Sequence, residues 1–253
     1  MAKVEWKKDG TVAIMIMNDK ENKHNPEWAK AMMTTYAEIL ADEEIGALVL
    51  TSSDPKNFCL GVDVEWMLQR QGEEDFDTIS QWLYSTAEVF KAMLMAPFPT
   101  IAAINGHAFG NGAMLAGACD FRFMRSDRGY FCLPEVDLGI QMAPSMIEWM
   151  KRIMPYHLFT RMLFTGERIS ARELEQYGVI VKACESAEDT VKEAVEFARK
   201  FQKYRPTVAE MKKRTYKHII DKMENEDPQY YDNRPENVKE GKSPVFMISP
   251  QGY

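Results

Sequence analysis

The segment Pro99–Asp120 constrains the fold more than any other part of this 253-residue chain. In it, the apolar run Thr100–Ile104 is followed by three closely spaced glycines and then by the small apolar run Ala113–Ala118. This order predicts a buried strand, a glycine loop and the start of a buried helix. Backbone N–H groups at a helix start are unpaired and lie at the positive end of the helix dipole. Such a junction can therefore hold a phosphate or a developing oxyanion.

The composition is that of a soluble globular protein, and the length suits one large α/β domain. Hydrophobic residues make up 45% of the chain, charged residues 27%, and the formal net charge is −7. This acidic balance argues against nucleic-acid binding, which favours a basic face. The apolar runs are far shorter than a membrane span, and no apolar core of a secretory signal follows the first charges. We therefore expect a cytoplasmic protein without a membrane span.

Cysteine and histidine residues are scattered along the chain and form no metal-ligand motif. We expect reduced, buried thiols and no metal site. The residues concerned are Cys59, Cys119, Cys132, Cys184, His24, His107, His157 and His218.

Periodicity and turn residues predict alternating strands and helices. Before residue 140 the order strand–strand–helix suggests a coil of ββα units, and the chain after Ala143 is expected to be mostly helical. The predicted strands are Val4–Lys8, Thr11–Met17, Gly46–Thr51, Thr100–Ile104, Phe121–Arg125, Gly129–Leu133 and Val179–Ala183. The predicted helices include Pro26–Asp42, Val64–Gln69, Thr78–Met95, Glu188–Tyr204 and Val208–Asn225, with loops at Ser52–Asp63 and Gln71–Asp77 and an irregular tail over Glu226–Tyr253.

A second glycine loop, Asn57–Asp63, also follows a buried strand and precedes a helix. Two such junctions in one domain can each aim one N–H group at the same point, which is the geometry of an oxyanion hole. The alternative is ordinary turn chemistry.

Two carboxylates, Glu135 and Asp137, lie among apolar residues in the segment Tyr130–Ile140. A carboxyl group in an apolar pocket has a raised pKa and can exchange protons with a substrate. The alternative is a pair of exposed loop acids, which the segment by itself favours.

Three motifs in order resemble those of the crotonase superfamily, the enoyl-CoA hydratase/isomerase fold. Phe58–Asp63 resembles its F-x-x-G-x-D loop, Asn105–Asp120 its N-G-x-A-x-G-x-G segment, and Pro134–Ile140 its P-E-x-x-x-G segment. The resemblance covers about residues 4 to 225, and Lys242–Phe246 is similar to the family's end.

The resemblance implies an α/β fold, the ClpP-like crotonase spiral of ββα units, with two roughly perpendicular sheets. It implies a spiral core over residues 1–200 and a C-terminal helical trimerisation region over residues 201–253. The expected assembly is a homotrimer or hexamer.

The resemblance also implies an acyl-CoA substrate whose thioester enolate is held by the backbone N–H groups of Val62 and Asn111. The family usually has glycine or alanine where this chain has Asn111. Hydratases of the family use two glutamates, and this chain has Met114 in place of the first and retains the second as Glu135. Methionine cannot position a water or accept its proton.

Further binding residues follow from motif position. Residues expected to bind CoA or the substrate backbone are Lys23, His24, Asp63, Val64 and Gly110. The expected acyl pocket consists of Trp66, Met67, Trp82, Phe109, Met114 and Met142. Coenzyme A is expected as part of the substrate, with no other cofactor and no metal.

The single retained glutamate makes the chain most similar to monofunctional 3,2-trans-enoyl-CoA isomerases, which carry a D-R-G…E-V-D-x-G pattern found here at Asp127–Gly139. This implies a proton shuttle that moves a β,γ double bond into conjugation. Asp137 is interpreted as a structural acid. The alternatives are another enolate reaction (decarboxylation, C–C cleavage or weak hydration) or a non-catalytic acyl-CoA binding protein.

Overall fold

A computed structural model describes residues 3–232 and 234. The strands are β1 (Val4–Asp9), β2 (Val12–Met17), β3 (Ala47–Ser52), β4 (Asn57–Cys59), β5 (Thr100–Ile104), β6 (His107–Phe109), β7 (Phe121–Arg125), β8 (Phe131–Cys132), β9 (Arg168–Ile169) and β10 (Lys182–Cys184). The helices are α1 (Pro26–Ala41), α2 (Val64–Gly72), α3 (Phe76–Met95), α4 (Asn111–Ala118), α5 (Glu135–Leu138), α6 (Pro144–Ile153), α7 (Tyr156–Thr165), α8 (Ala171–Gln176), α9 (Ala187–Ala198), α10 (Arg205–Thr215) and α11 (Lys217–Asn225), followed by a 3₁₀ turn at Asp227–Tyr230.

The strands form two sheets. The larger has the order β1-β2-β3-β5-β7-β10 and is parallel except for the β1–β2 hairpin. The smaller has the order β4-β6-β8-β9 and is parallel except at β8–β9. In three successive units a strand of the large sheet is followed by a strand of the small sheet and then by a helix: β3–β4–α2, β5–β6–α4 and β7–β8–α5. The predicted ββα rhythm is confirmed.

The large sheet is covered on both faces, which explains its continuous apolar strands. Leu48 and Leu50 on β3 belong to the main hydrophobic core. Val49, between them, packs into a second cluster with Ala194 and Val195 of α9. Because side chains alternate between the faces of a strand, each residue of β3 is buried on one side or the other.

Glycines allow the β6–α4 unit to lie directly against β4. A Cβ atom on Gly112 would overlap the carbonyl oxygen of Cys59, and one on Gly106 would overlap that of Lys56. A Cβ atom on Gly61 would lie 2.9 Å from the backbone nitrogen of Asn111. The two glycine loops predicted from the sequence are therefore in backbone contact.

Helix α4 is also held from its C-terminal end. The Arg122 guanidinium donates to the carbonyl of Cys119 at 2.8 Å, and the Arg152 guanidinium donates to that of Gly117 at 2.7 Å. Cations at the last carbonyls of a helix satisfy groups that have no intrahelical partner and interact favourably with the helix dipole. These contacts hold the helix along its axis, with its N-terminus towards the β4–α2 loop.

Some predicted element bounds are wrong. A strand, β4, forms inside the predicted loop Ser52–Asp63, and the predicted loop Gln71–Asp77 is shorter because α3 begins at Phe76. Asp75 caps that helix by accepting from the backbone N–H of Thr78. Strands of two or three residues such as β4, β6 and β9 are too short for a periodic pattern.

The predicted helix Val208–Asn225 is two helices, because Tyr216 leaves the helical conformation between α10 and α11. Its hydroxyl donates to Asp120 at 3.2 Å, and Lys212 forms a buried ion pair with the same carboxylate at 2.6 Å. The predicted helix Glu188–Tyr204 ends at Ala198, and α10 begins at Arg205 with Pro206 in its first turn. A division near residue 200 and a subunit contact beyond it stay predictions, and Lys242–Phe246 lies outside the described residues.

The close approach at Gly112 predicts a large cost for a methyl group. Gly112→Ala should lower the free energy of unfolding by about 3 kcal/mol, because backbone on both sides must shift. Gly72→Ala is the matched control: its added methyl meets no atom within 4 Å, and alanine suits a helix end better than glycine. Urea unfolding of the three proteins measures the difference. Equal stability of the two variants would contradict the close approach.

Candidate active site

Two glycine-containing loops meet at one point of the molecule. Gly61 has a positive φ of 80° and Gly110 one of 53°, a region that glycine adopts without strain. The chain at His24 and Val62 forms an isolated parallel bridge, in which the His24 N–H donates to Gly61 and the Asp63 N–H donates to His24. In this parallel bridge the hydrogen bonds come from the N–H groups of His24 and Asp63. The N–H group of Val62 is not used and is directed away from the His24 segment.

A narrow pocket with a cavity volume of about 50 Å³ opens at this junction. Its walls come from both glycine loops, α4, α5 and the start of α6. Most of its lining is aliphatic, and Glu135 is its one carboxylate. The lining residues are Leu60, Val62, Val64, Gly110, Asn111, Met114, Pro134, Glu135, Leu138, Ile140, Gln141 and Met146. The structure thus brings Val62, Asn111, Met114 and Glu135 together, as the sequence motifs predict.

Glu135 is the first residue of α5 and is only 6% exposed. One carboxylate oxygen lies 3.0 Å from where a Cβ atom of Gly110 would be, and the other has no hydrogen-bond partner among the described residues. Burial raises the pKa of this carboxyl group to about 7, opposed only by its own backbone N–H. A carboxyl group of this kind is a suitable general base near neutral pH.

Met114 lies one turn inside α4 and is 1% exposed. Its side chain forms an apolar, non-ionisable part of the pocket wall. Glu135 is therefore the one carboxylate in the pocket to which an entering water molecule could bind.

Asp137 belongs to the same short helix but has a different environment. It is exposed, and its carboxylate lies against Gly166 at the end of α7. It is not among the residues that line the pocket. The interpretation of Asp137 as a structural acid stays a prediction.

The other residues predicted for the acyl pocket lie outside the cavity lining. Met67 and Trp82 belong to the core, and the Trp66 ring packs edge-on against Trp82 at 5.3 Å. Phe109 is half-buried beneath the Arg168 guanidinium, 5.4 Å from its ring centre, and Met142 packs against the core.

Six lining residues were not predicted from the sequence, namely Leu60, Pro134, Leu138, Ile140, Gln141 and Met146. Leu138 and Ile140 could have been predicted as lining residues, because they closely follow Glu135 in the sequence. Nothing in the sequence indicates Met146 as a lining residue. It lies on α6, whose N-terminus is capped by the buried Asp227, which accepts from the Ser145 N–H at 3.0 Å across 82 positions of sequence.

The residues predicted to bind CoA have unequal access to solvent. The His24 ring is fully buried, stacks on Trp28 at 3.5 Å, and has Nε2 3.1 Å from the Cys59 sulfur. Burial lowers the pKa of His24 to about 3, so the ring is neutral. Lys23 is half-exposed and pairs with Glu21 at 2.9 Å.

Asp63 and Val64 lie at the start of α2. Asp63 caps this helix by accepting from the Trp66 N–H at 3.3 Å, and also accepts from Asn25 at 3.1 Å. Val64 lines the pocket, as does Gly110. The carboxylate of Asp63 therefore positions the loop that presents the Val62 N–H.

Within residues 3–232 and 234, no group of three or more histidine, cysteine or acidic side chains is arranged to hold a metal ion. No helix in the same part of the chain is long and apolar enough to cross a membrane.

The buried carboxylate predicts a pH-dependent stability. Between its unfolded pKa of 4.5 and its folded pKa of about 7, Glu135 holds a proton only in the folded state, so its contribution to stability falls as the pH rises. Glu135→Gln should therefore leave the free energy of unfolding nearly unchanged at pH 4 and raise it by about 3 kcal/mol at pH 8. Urea unfolding at both pH values measures this. Asp137→Asn, at an exposed position, is the control and should show no such gain, and a Glu135→Gln protein no more stable at pH 8 would contradict the burial.

Comparison with known proteins identifies the family. A family model for enoyl-CoA hydratase/isomerase matches residues 7–240. The short-chain-enoyl-CoA hydratase of Clostridium acetobutylicum is 30% identical over 210 residues, 81% of this chain and 77% of the relative. Enoyl-CoA delta isomerase 3 of Arabidopsis thaliana is 27% identical over 182 residues, 72% of this chain and 76% of the relative. The structure of an enoyl-CoA hydratase/isomerase family protein from Pseudomonas syringae superposes with a TM-score of 0.82 at 21% identity, covering 91% of this chain and 97% of that one. The predicted crotonase fold is confirmed, and the chain belongs to the enoyl-CoA hydratase/isomerase family.

Proposed function

We propose that this protein isomerises acyl-CoA thioesters by moving a β,γ double bond into conjugation with the thioester carbonyl. The observation that carries the proposal is a single buried carboxylate, Glu135, beside two converging backbone loops in a mostly apolar pocket whose other polar side chains are Asn111 and Gln141. The relatives include both isomerases and hydratases, so the choice between these reactions rests on the residues of this site.

The proposed reaction begins when ionised Glu135 removes a proton from the α-carbon of the substrate. The electrons of the broken C–H bond form a dienolate, whose negative oxygen accepts hydrogen bonds from the Val62 and Asn111 N–H groups. Protonated Glu135 then gives the same proton to the γ-carbon, and the new double bond joins the α- and β-carbons. Glu135 ends the cycle ionised, and no atom is gained or lost.

Hydration is disfavoured by the same residues. Adding water across a double bond needs a group that deprotonates the water and a group that protonates the α-carbon. Glu135 can do one of these tasks at a time, and Met114 can do neither. The aliphatic lining also disfavours the entry of water, which protects a dienolate from side reactions.

We also propose that the CoA part of the substrate lies along the loop that contains Lys23 and His24. The bridge between His24 and Val62 joins this loop to a proposed oxyanion donor. The His24 ring is buried and its backbone N–H and carbonyl already form the bridge, so His24 would shape this loop, and Lys23 would exchange its ion pair with Glu21 for a phosphate.

Loss of the base should abolish isomerisation. Glu135→Gln should lower the rate of β,γ- to α,β-enoyl-CoA conversion by about a thousandfold, because general-base catalysis contributes roughly this much. Asp137→Asn, the neighbouring carboxylate outside the pocket, should stay within about threefold of the natural protein. Conjugation is followed by absorbance, and the mass of the product separates isomerisation from hydration.

Three outcomes of this assay would contradict the proposal. An unchanged rate in Glu135→Gln would exclude the proton shuttle. A product heavier by one water, formed as fast as the isomer, would indicate a hydratase. Binding of the thioester without any conversion would indicate an acyl-CoA binding protein.

The rate should also depend on pH through Glu135. Only the ionised form accepts a proton, so kcat/KM should rise about tenfold per pH unit below pH 7 and level off above it. Rates from pH 5 to pH 9 with a short-chain β,γ-enoyl-CoA test this. A profile that is flat down to pH 5 would show that the group responsible has an ordinary carboxyl pKa.

A further inference from the structure

Asn111 has a side-chain donor that the fold does not use. The residue is 4% exposed and lines the pocket, and its amide nitrogen Nδ2 is buried with no hydrogen-bond partner among the described residues. A buried donor without a partner lowers stability unless something else accepts its hydrogen bond. A glycine or alanine at this position would supply the same backbone N–H without that cost.

Other buried asparagines show what a structural role looks like in this protein. Nδ2 of Asn22 donates to the Ser52 hydroxyl at 2.8 Å and to the carbonyl of Phe58 at 2.9 Å. Nδ2 of Asn105 donates to the carbonyls of Ser52 and Asp54 at 3.0 and 2.9 Å. Both amides join loops of the core, whereas Asn111 lines the pocket and its buried side-chain donor is unused.

A second unpaired group borders the same small pocket. One carboxylate oxygen of Glu135 also has no partner among the described residues, although Glu135 lies against Gly110, the neighbour of Asn111. The donor and the acceptor do not bond to each other. A ligand that presents an oxygen to Asn111 and an acidic C–H to Glu135 would complement both groups.

We infer that the Asn111 side-chain amide is a third hydrogen-bond donor to the substrate oxygen that becomes the enolate. This inference rests on the proposed function, because it takes the thioester oxygen to lie between the two loops. A neutral carbonyl oxygen has two lone pairs, which the backbone N–H groups of Val62 and Asn111 satisfy. An enolate oxygen carries a negative charge and a third lone pair, so the side-chain donor binds it more strongly than it binds the carbonyl.

A donor that acts mainly on the enolate stabilises the intermediate and the transition states that flank it. Its loss should therefore lower kcat and leave KM nearly unchanged. A residue that only supported the fold would instead change the thermal stability and the affinity for every ligand.

The test measures enolate formation directly, without isomerisation. In a Glu135→Gln protein, which removes the titrating carboxylate, bound 3-ketobutanoyl-CoA is titrated with base and its enolate is followed by ultraviolet absorbance. Adding Asn111→Ala or Asn111→Leu should raise the midpoint pH of the bound enolate by about one to two units, a ten- to hundredfold loss typical of a hydrogen bond to a charged group. Saturated butanoyl-CoA, which forms no enolate at these pH values, should bind all three proteins within about twofold.

Two variants and a melting curve keep the result independent of folding. Leucine nearly matches asparagine in shape but has no donor, so Asn111→Leu should melt at the same temperature as its parent or higher, because it removes an unpaired polar group. In the protein with Glu135 intact, Asn111→Ala should lower the kcat for β,γ-enoyl-CoA by the same ten- to hundredfold factor, with KM within about twofold.

The outcomes separate this inference from the proposed function. An enolate midpoint unchanged by both Asn111 substitutions would overturn the inference and leave the proposed function standing. Equal weakening of butanoyl-CoA and of the enolate would overturn it as well, because the effect would then be on binding in general. A protein that shifts the midpoint through Asn111 but does not isomerise β,γ-enoyl-CoA would support the inference while the proposed function fails. If the Glu135→Gln parent binds the ketothioester without lowering its midpoint below that in free solution, both are wrong.

Discussion

The close backbone approach between the start of α4 and the β4–α2 loop is the constraint on which the site depends. Gly112 lies so near the carbonyl of Cys59 that a methyl group would overlap it, and a Cβ atom on Gly61 would lie 2.9 Å from the backbone nitrogen of Asn111. This contact brings the N-terminal end of a helix beside a second loop, so that Val62 and Asn111 line one pocket. Arg122 and Arg152 bind the last carbonyls of the same helix and hold it in that position.

The chemistry of the pocket comes from burying one charge-bearing group and leaving it without a partner. A carboxylate in an aliphatic pocket destabilises the folded state, and the same desolvation raises the pKa of Glu135 to about 7. Under the proposed function, stability and activity oppose each other at this residue. Asn111 is a second example, because its side-chain amide is a hydrogen-bond donor that is also buried without a partner among the described residues. The Glu135 carboxylate and the Asn111 amide would stabilise the fold if they had hydrogen-bond partners within the protein. Because they lack such partners, they remain available to a ligand.

Local patterns predicted the parts of the fold that are long or carry special residues. The hairpin, α1, α3 and the strand–loop–helix junction at α4 were expected from periodicity and glycine positions, and they are present. Short strands such as β4 and β6 were not predicted. Two or three residues are too few to show a period-2 alternation of apolar and polar side chains, and the strands that pair with them come from other units. The break at Tyr216 was missed, and Asp120, whose carboxylate accepts from the Tyr216 hydroxyl, lies 96 positions earlier in the chain.

The sequence by itself determined the family, the order of the ββα units and the identity of the chemical groups, including methionine where a second acid would be. These depend on which residues occur and in what order. Only the tertiary structure decided which groups share a pocket and which are buried. It placed the His24 ring in the core, Asp137 outside the pocket, and Met146 in the lining by way of Asp227. The physical reason is that burial and hydrogen-bond partnership depend on contacts between distant segments, which no local pattern contains.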